Sequence, residues 1–163
     1  MAEMVQELRA VIYSSSHLNT GNMDQQKQKQ ISKEWHEAFG TDALKGNYDK
    51  YLHDNFTADF FGGQQVDKKK YMEEDQRFAL AFKNNRITVL EQIAENDKVV
   101  SVMKWTAVQV GDIPGVPATG RSFEIRGIAI DYFKDGKVIR HFPLFDQLNM
   151  MRQLGAVAGA GAP

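Results

Sequence analysis

The apolar residues of this chain change their spacing once, at Asn84-Asn85. Upstream they recur every three to four positions, as on a helix face; downstream they alternate, as on a half-buried strand. Ile31, Trp35, Ala38 and Phe39 form one helical stripe over residues 24–39, with Gly40 as a stop. Asn47 is placed to cap a short helix carrying Tyr48, Tyr51 and Leu52, and Phe56 to Phe61 reads as a brief aromatic strand ending at Gly62-Gly63. Asp67 caps a third helix with the stripe Tyr71, Met72, Asp75, Phe78, Ala79 and Phe82. Asp75 is the misfit, read as lying at the solvated edge of the stripe. Four long antiparallel strands follow over 86–94, 98–110, 122–133 and 137–145. The order predicts an α+β fold with helices gathered on one face of an antiparallel sheet.

Two turns set the strand pairing. Asp135-Gly136 suits a two-residue hairpin because both positions need positive φ, and that register places Asp131 opposite Arg140 and Ile130 opposite His141. Asp131–Arg140 is then an exposed cross-strand ion pair. His141 shares its face with Ile130, Ile128 and Arg126, either as a plain strand histidine or as a hydrogen-bond donor to a ligand. Pro143 cannot donate to a ladder and marks an edge or a bulge, so the face that Asp146 occupies stays open.

Composition narrows the function. The 163 residues are 42% hydrophobic and 25% charged, enough for one core. Twenty Lys+Arg against twenty-one Asp+Glu leave a formal charge of -1, which favours neither nucleic acid nor an anionic membrane, so a small apolar molecule is the expected partner. The absence of cysteine excludes disulfides and thiolate chemistry. His17, His36, His53 and His141 show no ligand spacing, so neither metal nor cofactor is expected. Residues 1–24 read as an extension whose stretch 2–13 is a short amphipathic helix, residues 25–155 as the domain, and the Gly/Ala-rich 156–163 as a disordered tail. With no leader and no long apolar run, the expected location is cytoplasmic.

The stretch Gly115 to Gly155, GVPATGRSFEIRGIAIDYFKDGKVIRHFPLFDQLNMMRQLG, resembles the closing motif of SnoaL-like polyketide cyclases. That motif runs from a Gly-Val-Pro-x-Thr-Gly loop through an acidic-Gly-Lys hairpin and an aromatic strand to Asp-x-Leu and Gln-Leu-Gly, and a looser likeness extends over residues 25–155. The resemblance implies a cone-shaped barrel, a strongly curved antiparallel sheet packed on N-terminal helices as in ketosteroid isomerases and nuclear transport factors, and a homodimer. It also implies an aspartate acting as acid/base in cofactor-free ring closure, and Asp146 is the residue that matches. His141-Phe142 stands where His-Trp is common.

Aldol closure and ketosteroid isomerisation both begin with removal of a proton alpha to a carbonyl, which a desolvated carboxylate can perform. Asp146 is the candidate base, or alternatively the N-cap of the last helix, and His141 is the candidate second polar group. Trp35, Trp105, Phe123, Phe142 and Arg126 are the candidate ligand-binding residues, the four aromatics being equally readable as core. Non-catalytic binding of an apolar metabolite or a partner subunit is the alternative. Because residues 98–110 are apolar on both faces, the convex face of the sheet is expected to be covered by a second copy.

Overall fold

The structure, a computed structural model, describes residues 24–60 and 63–157. The amphipathic stretch 2–13 and the tail from 158 lie outside the described residues. Helix α1 covers 24–38 and ends at Gly40, whose φ of 65° serves the stop. The order then runs α2 (Tyr48–Tyr51), β1 (Leu52–Phe60), β2 (Gln64–Asp67), α3 (Lys68–Ala81), β3 (Phe82–Glu95), β4 (Lys98–Gln109), β5 (Ser122–Lys134), β6 (Lys137–Phe145) and α4 (Gln147–Leu154). Asp67 caps α3 by accepting from the Lys70 N–H at 2.8 Å. Asn47 sits at the start of α2 but turns its amide back to Ala43 O rather than capping.

The six strands lie in the order β2-β1-β6-β5-β4-β3. The expectation of a strongly curved antiparallel sheet needs correcting on two counts. The sheet is mixed, because β1 runs parallel to β6, and it is not strongly curled, with its end strands β2 and β3 unpaired to each other. The hairpin from β5 to β6 turns at Asp135 and Gly136, with φ of 51° and 75°, as its Asp-Gly pair dictates.

Beyond that turn the ladder departs from simple hairpin counting. Phe133 pairs with Val138, but Tyr132 pairs with Arg140, so Ile139 is an extra residue in β6. A bulge of this kind moves every later residue to the other face. Asp131 therefore stands opposite His141 rather than Arg140, and Ile130 opposite Phe142. Arg140 pairs instead with Asp59, its Nη2 lying 2.9 Å from Oδ2.

The buried face of the sheet carries Val99, Met103, Trp105 and Ala107 from β4 and Phe123, Ile125, Ala129 and Phe133 from β5. Two apolar clusters share this face. One gathers Trp35, Tyr48, Phe56, Tyr71, Phe133 and Val138; the other gathers Phe82, Met103, Trp105, Phe123, Met150 and Leu154. Phe39, near the end of α1, packs against both. Asp75 is not solvated: it is buried, with Oδ1 accepting from Gly40 N–H at 2.7 Å and Oδ2 from Tyr48 OH at 2.6 Å. It ties α3 to the end of α1, which explains an acid on an apolar stripe.

Candidate active site

At the seam between the two clusters lies a small cavity of about 50 Å³. Phe39, Phe78, Ile87, Trp105 and Phe145 form most of its wall, and His36, Asp59, Tyr71 and His141 bring the polar groups. Gly127 makes room for one of these walls, because a side chain there would collide with the ring of its pairing partner Phe145. Trp105 is held by its indole N–H donating to Asn85 Oδ1 at 2.6 Å.

Behind the cavity Asp131 is completely buried. His141 Nδ1 lies 2.8 Å from its Oδ1, His36 Nε2 lies 2.8 Å from its Oδ2, and Ser32 Oγ donates to Oδ2 at 2.6 Å. Burial alone would push the Asp131 carboxyl up, but the two imidazoles and their hydrogen bonds outweigh it and hold the group well below the usual carboxylate range. An ionised carboxylate only accepts hydrogen bonds, so each ring nitrogen facing it carries the proton. His141 is then the Nδ1–H tautomer, which leaves Nε2 unprotonated on a ring that borders the cavity. Burial also lowers the pKa of His141, against the opposing pull of Asp131. Tyr71 stays a phenol, its pKa raised chiefly by burial. Trp35 fixes both imidazoles, stacking on His36 at 4.8 Å and meeting His141 edge-on at 4.7 Å between ring centroids.

His36, Asp131 and His141 form the one group among the described residues whose possible metal-ligand atoms converge, within 4.8 Å of one another. Their nitrogen–oxygen separations of 2.8 Å and the third donor from Ser32 describe a closed hydrogen-bonded cluster. A cation could enter only by displacing protons already in use.

Of the residues singled out in the sequence, His141 and Trp105 line the cavity, while Trp35 and Phe123 pack one layer behind it. Three lie elsewhere. Arg126 and Phe142 are exposed on the opposite face of the sheet, because the bulge reverses the parity that had joined Arg126 to His141. Asp146 is exposed and caps α4, with Oδ1 accepting from Asn149 N–H at 3.0 Å. Asp131, His36, Ser32 and Tyr71 were missed. Ser32 and His36 stand one turn apart beside Trp35, a polar pair on the inner face of α1 that could have drawn notice; nothing in the sequence marks Ile139 as a bulge.

Residues 29–154 match the profile of the SnoaL-like polyketide cyclases. The chain belongs to that family. TsrD from Streptomyces laurentii is similar at 27% identity and a TM-score of 0.72, over 80% of this chain and 96% of that one. A candidate polyketide cyclase from Acidithiobacillus ferrooxidans is 26% identical, with a TM-score of 0.68 over 81% of this chain and 96% of its own. A candidate SnoaL-like polyketide cyclase from Jannaschia sp. CCS1 shares the fold at a TM-score of 0.75 and 19% identity, over 82% and 95%. No curated protein sequence matches significantly. Among the described residues of this SnoaL-like chain no helix is long and apolar enough to cross a membrane.

Proposed function

We propose that this SnoaL-like protein is a cofactor-independent cyclase or isomerase that removes and returns a proton alpha to the carbonyl of a small apolar substrate, with His141 rather than Asp146 as the acid/base group. The observation that carries this reading is the His141–Asp131 pair, at 2.8 Å, backing an aromatic cavity. The substrate C–H bond breaks, its proton passes to His141 Nε2, and the electron pair moves onto the carbonyl oxygen as an enolate. Asp131 stabilises the imidazolium that forms, and Tyr71, kept protonated by burial, supplies a hydroxyl donor to the enolate oxygen. The proton then returns to the new carbon position in isomerisation, or to the new alkoxide after carbon–carbon bond formation in cyclisation.

The cavity holds only a few waters as it stands, against the roughly 300 Å³ or more of a typical small-molecule pocket. Phe78 also borders an outer hollow of about 320 Å³ between α3, the loop 110–121 and α4. Displacement of that ring would join the two spaces and admit a ring-sized ketone. The same small volume favours a second reading, a non-catalytic module that holds a small ligand.

Exchange of alpha protons is the step common to both reactions, so deuterium uptake by cyclohexanone in D2O, followed by proton NMR, tests the proposal without knowledge of the natural substrate. Enzyme-dependent exchange that disappears in His141→Gln supports it. Exchange no faster than the buffer rate leaves the binding module as the reading, and catalysed exchange unchanged in His141→Gln removes His141 as the base.

A further inference from the structure

The cluster around Asp131 does not end at Ser32. Ser32 Oγ lies 3.2 Å from Ser101 Oγ on β4, and Ser101 Oγ in turn lies 3.1 Å from Gln92 Nε2 on β3. Ser32, Ser101 and Asp131 are fully buried, and Gln92 is partly exposed at the far end.

The direction of every proton in this chain follows from its ends. Asp131, as a carboxylate, accepts only, so the single hydroxyl proton of Ser32 is committed to it at 2.6 Å. Ser32 must then accept from Ser101. Gln92 Nε2 also reaches Lys29 O at 3.1 Å, and a carbonyl accepts only, so it is the amide nitrogen that faces both Lys29 and Ser101. Three groups in series, Gln92, Ser101 and Ser32, thus all donate toward the Asp131 carboxylate. Hydrogen bonds aligned head to tail polarise one another and place the largest benefit on the charge at the end.

We propose that Ser32, Ser101 and Gln92 are positioning residues that hold Asp131 as an anion and so lock His141 and His36 in opposite tautomers, Nδ1–H and Nε2–H. Its catalytic consequence rests on the reading of His141 as the acid/base group; the chain itself does not. A neutral buried Asp131 would have its own proton to donate, and His141 could then turn a protonated Nε2 to the cavity, where it would be useless as a base. The serine chain prevents this exchange by making the proton more costly on the carboxyl than on the rings.

The chain also moderates the imidazoles. Donors that share the carboxylate charge weaken its pull on a proton at His141, so removing one leaves a more basic carboxylate and a histidine that is easier to protonate. The other titratable and charged groups facing the cluster are Asp59 with Arg140, from β1 and β6, and Tyr71, from α3.

The test is long-range proton–nitrogen correlation NMR on protein carrying ¹⁵N-histidine, with assignment of His36 and His141 by substitution. The expected result at pH 8 is a single Nδ1–H form for His141 and a single Nε2–H form for His36. In Ser101→Ala and in Gln92→Leu the apparent pKa of His141 should rise, by less than the ~1–2 units that loss of a hydrogen bond made directly to the charged carboxylate would give, because both groups act through Ser32. Gln92 is only partly buried, so its variant keeps the test available if a serine variant fails to fold. A protonated Nε2 on neutral His141, a mixture of tautomers, or an unmoved His141 titration in folded Ser101→Ala and Gln92→Leu would each overturn the proposal. These spectra need no substrate. If they come out as expected while His141→Gln still exchanges ketone protons, the chain stands and the catalytic reading falls.

Discussion

His141 Nδ1 and Asp131 Oδ1 face each other at 2.8 Å because Ile139 is left over in the ladder between their strands. Without that extra residue the buried Asp131 would meet Arg140, and His141 would share the outer face with Ile130. One bulge thus sets an imidazole rather than a guanidinium against the buried acid. It also sends Phe142 and Leu144 outward while Pro143 and Phe145 turn to the cavity.

Substitution at 141 and 146 separates the two candidate bases. His141→Gln should lower alpha-proton exchange by the ~10²–10⁴-fold of a lost general base. Asp146→Asn should leave both exchange and melting temperature unchanged, since Asn caps a helix about as well as Asp, while Asp146→Ala should cost ~1 kcal/mol of stability in urea unfolding. Loss of exchange in folded Asp146→Asn would return the acid/base role to Asp146.

Helix stripes and strand alternation carry enough information to place α1, α3 and the four long strands, because burying one face imposes a period that propensity reinforces. Strand β2 was not legible: Gln64 to Asp67 is short and largely exposed, so no apolar alternation marks it. The site was legible only by residue type. His141 and Trp105 carry their own chemical signal, whereas Asp131 looks like any strand acid until its partner is known, and its partner depends on a one-residue shift. Asp75 was misread for a related reason, since the groups that satisfy it, Gly40 N–H and Tyr48 OH, come from segments remote in sequence.

Acid should destabilise the fold in two stages. The folded pKa of His141 lies below its unfolded value of ~6.5, and that of Asp131 below its unfolded ~3.9. In each case the unfolded chain binds more protons between the two values, so stability rises with pH across that interval. The contribution of neutral His141 is complete above about pH 6.5 and is lost as pH falls through its lower folded pKa; that of Asp131 is lost only in stronger acid. Asp75 has the opposite sign, because burial raises its pKa and its penalty is relieved on protonation. Melting temperature should therefore be level above pH 7 and fall below ~6.5, with a shallower fall in His141→Gln. An equal slope in that variant between pH 5 and 6.5 would contradict the assignment.

Asp75 should matter to stability more than to chemistry. Asp75→Ala orphans the buried Tyr48 hydroxyl and the Gly40 N–H, each left without its acceptor. An expected loss of about 2–4 kcal/mol follows from two unsatisfied buried donors. Asp75→Asn keeps one acceptor oxygen and should recover at least half of that loss, measured by chemical denaturation.

Phe78 should control the size of ketone admitted. It is the wall shared by the inner cavity and the outer hollow, so Phe78→Ala should lower KM for exchange of a bicyclic ketone such as 1-decalone several-fold while changing that for acetone little. Equal effects on both ketones would show that the ring does not limit entry.

The outer face of the sheet should be the seam of a homodimer. Paired residues run across it in two rows, Ile93–Val100–Ile130–Phe142 and Glu91–Val102–Ile128–Leu144, so seven of eight positions are apolar. Ile93, Ile128, Phe142 and Leu144 are 62%, 46%, 41% and 66% exposed in the single chain, a contiguous patch unusual for a monomer surface. Charged side chains rim it at Lys104, Glu124 and Arg126 on one side and at Lys98 and Arg140 on the other. A patch crossing four strands meets its own copy when two chains stack about a two-fold axis, the commonest symmetry of soluble homo-oligomers. Sedimentation at micromolar concentration should give a dimer, and Leu144→Arg, which places a charge within the patch, should give a folded monomer with unchanged circular dichroism. Deletion of residues 1–23 provides the control: if the full chain is monomeric and the shortened one dimeric, the amphipathic stretch 2–13 covers this face in place of a second copy.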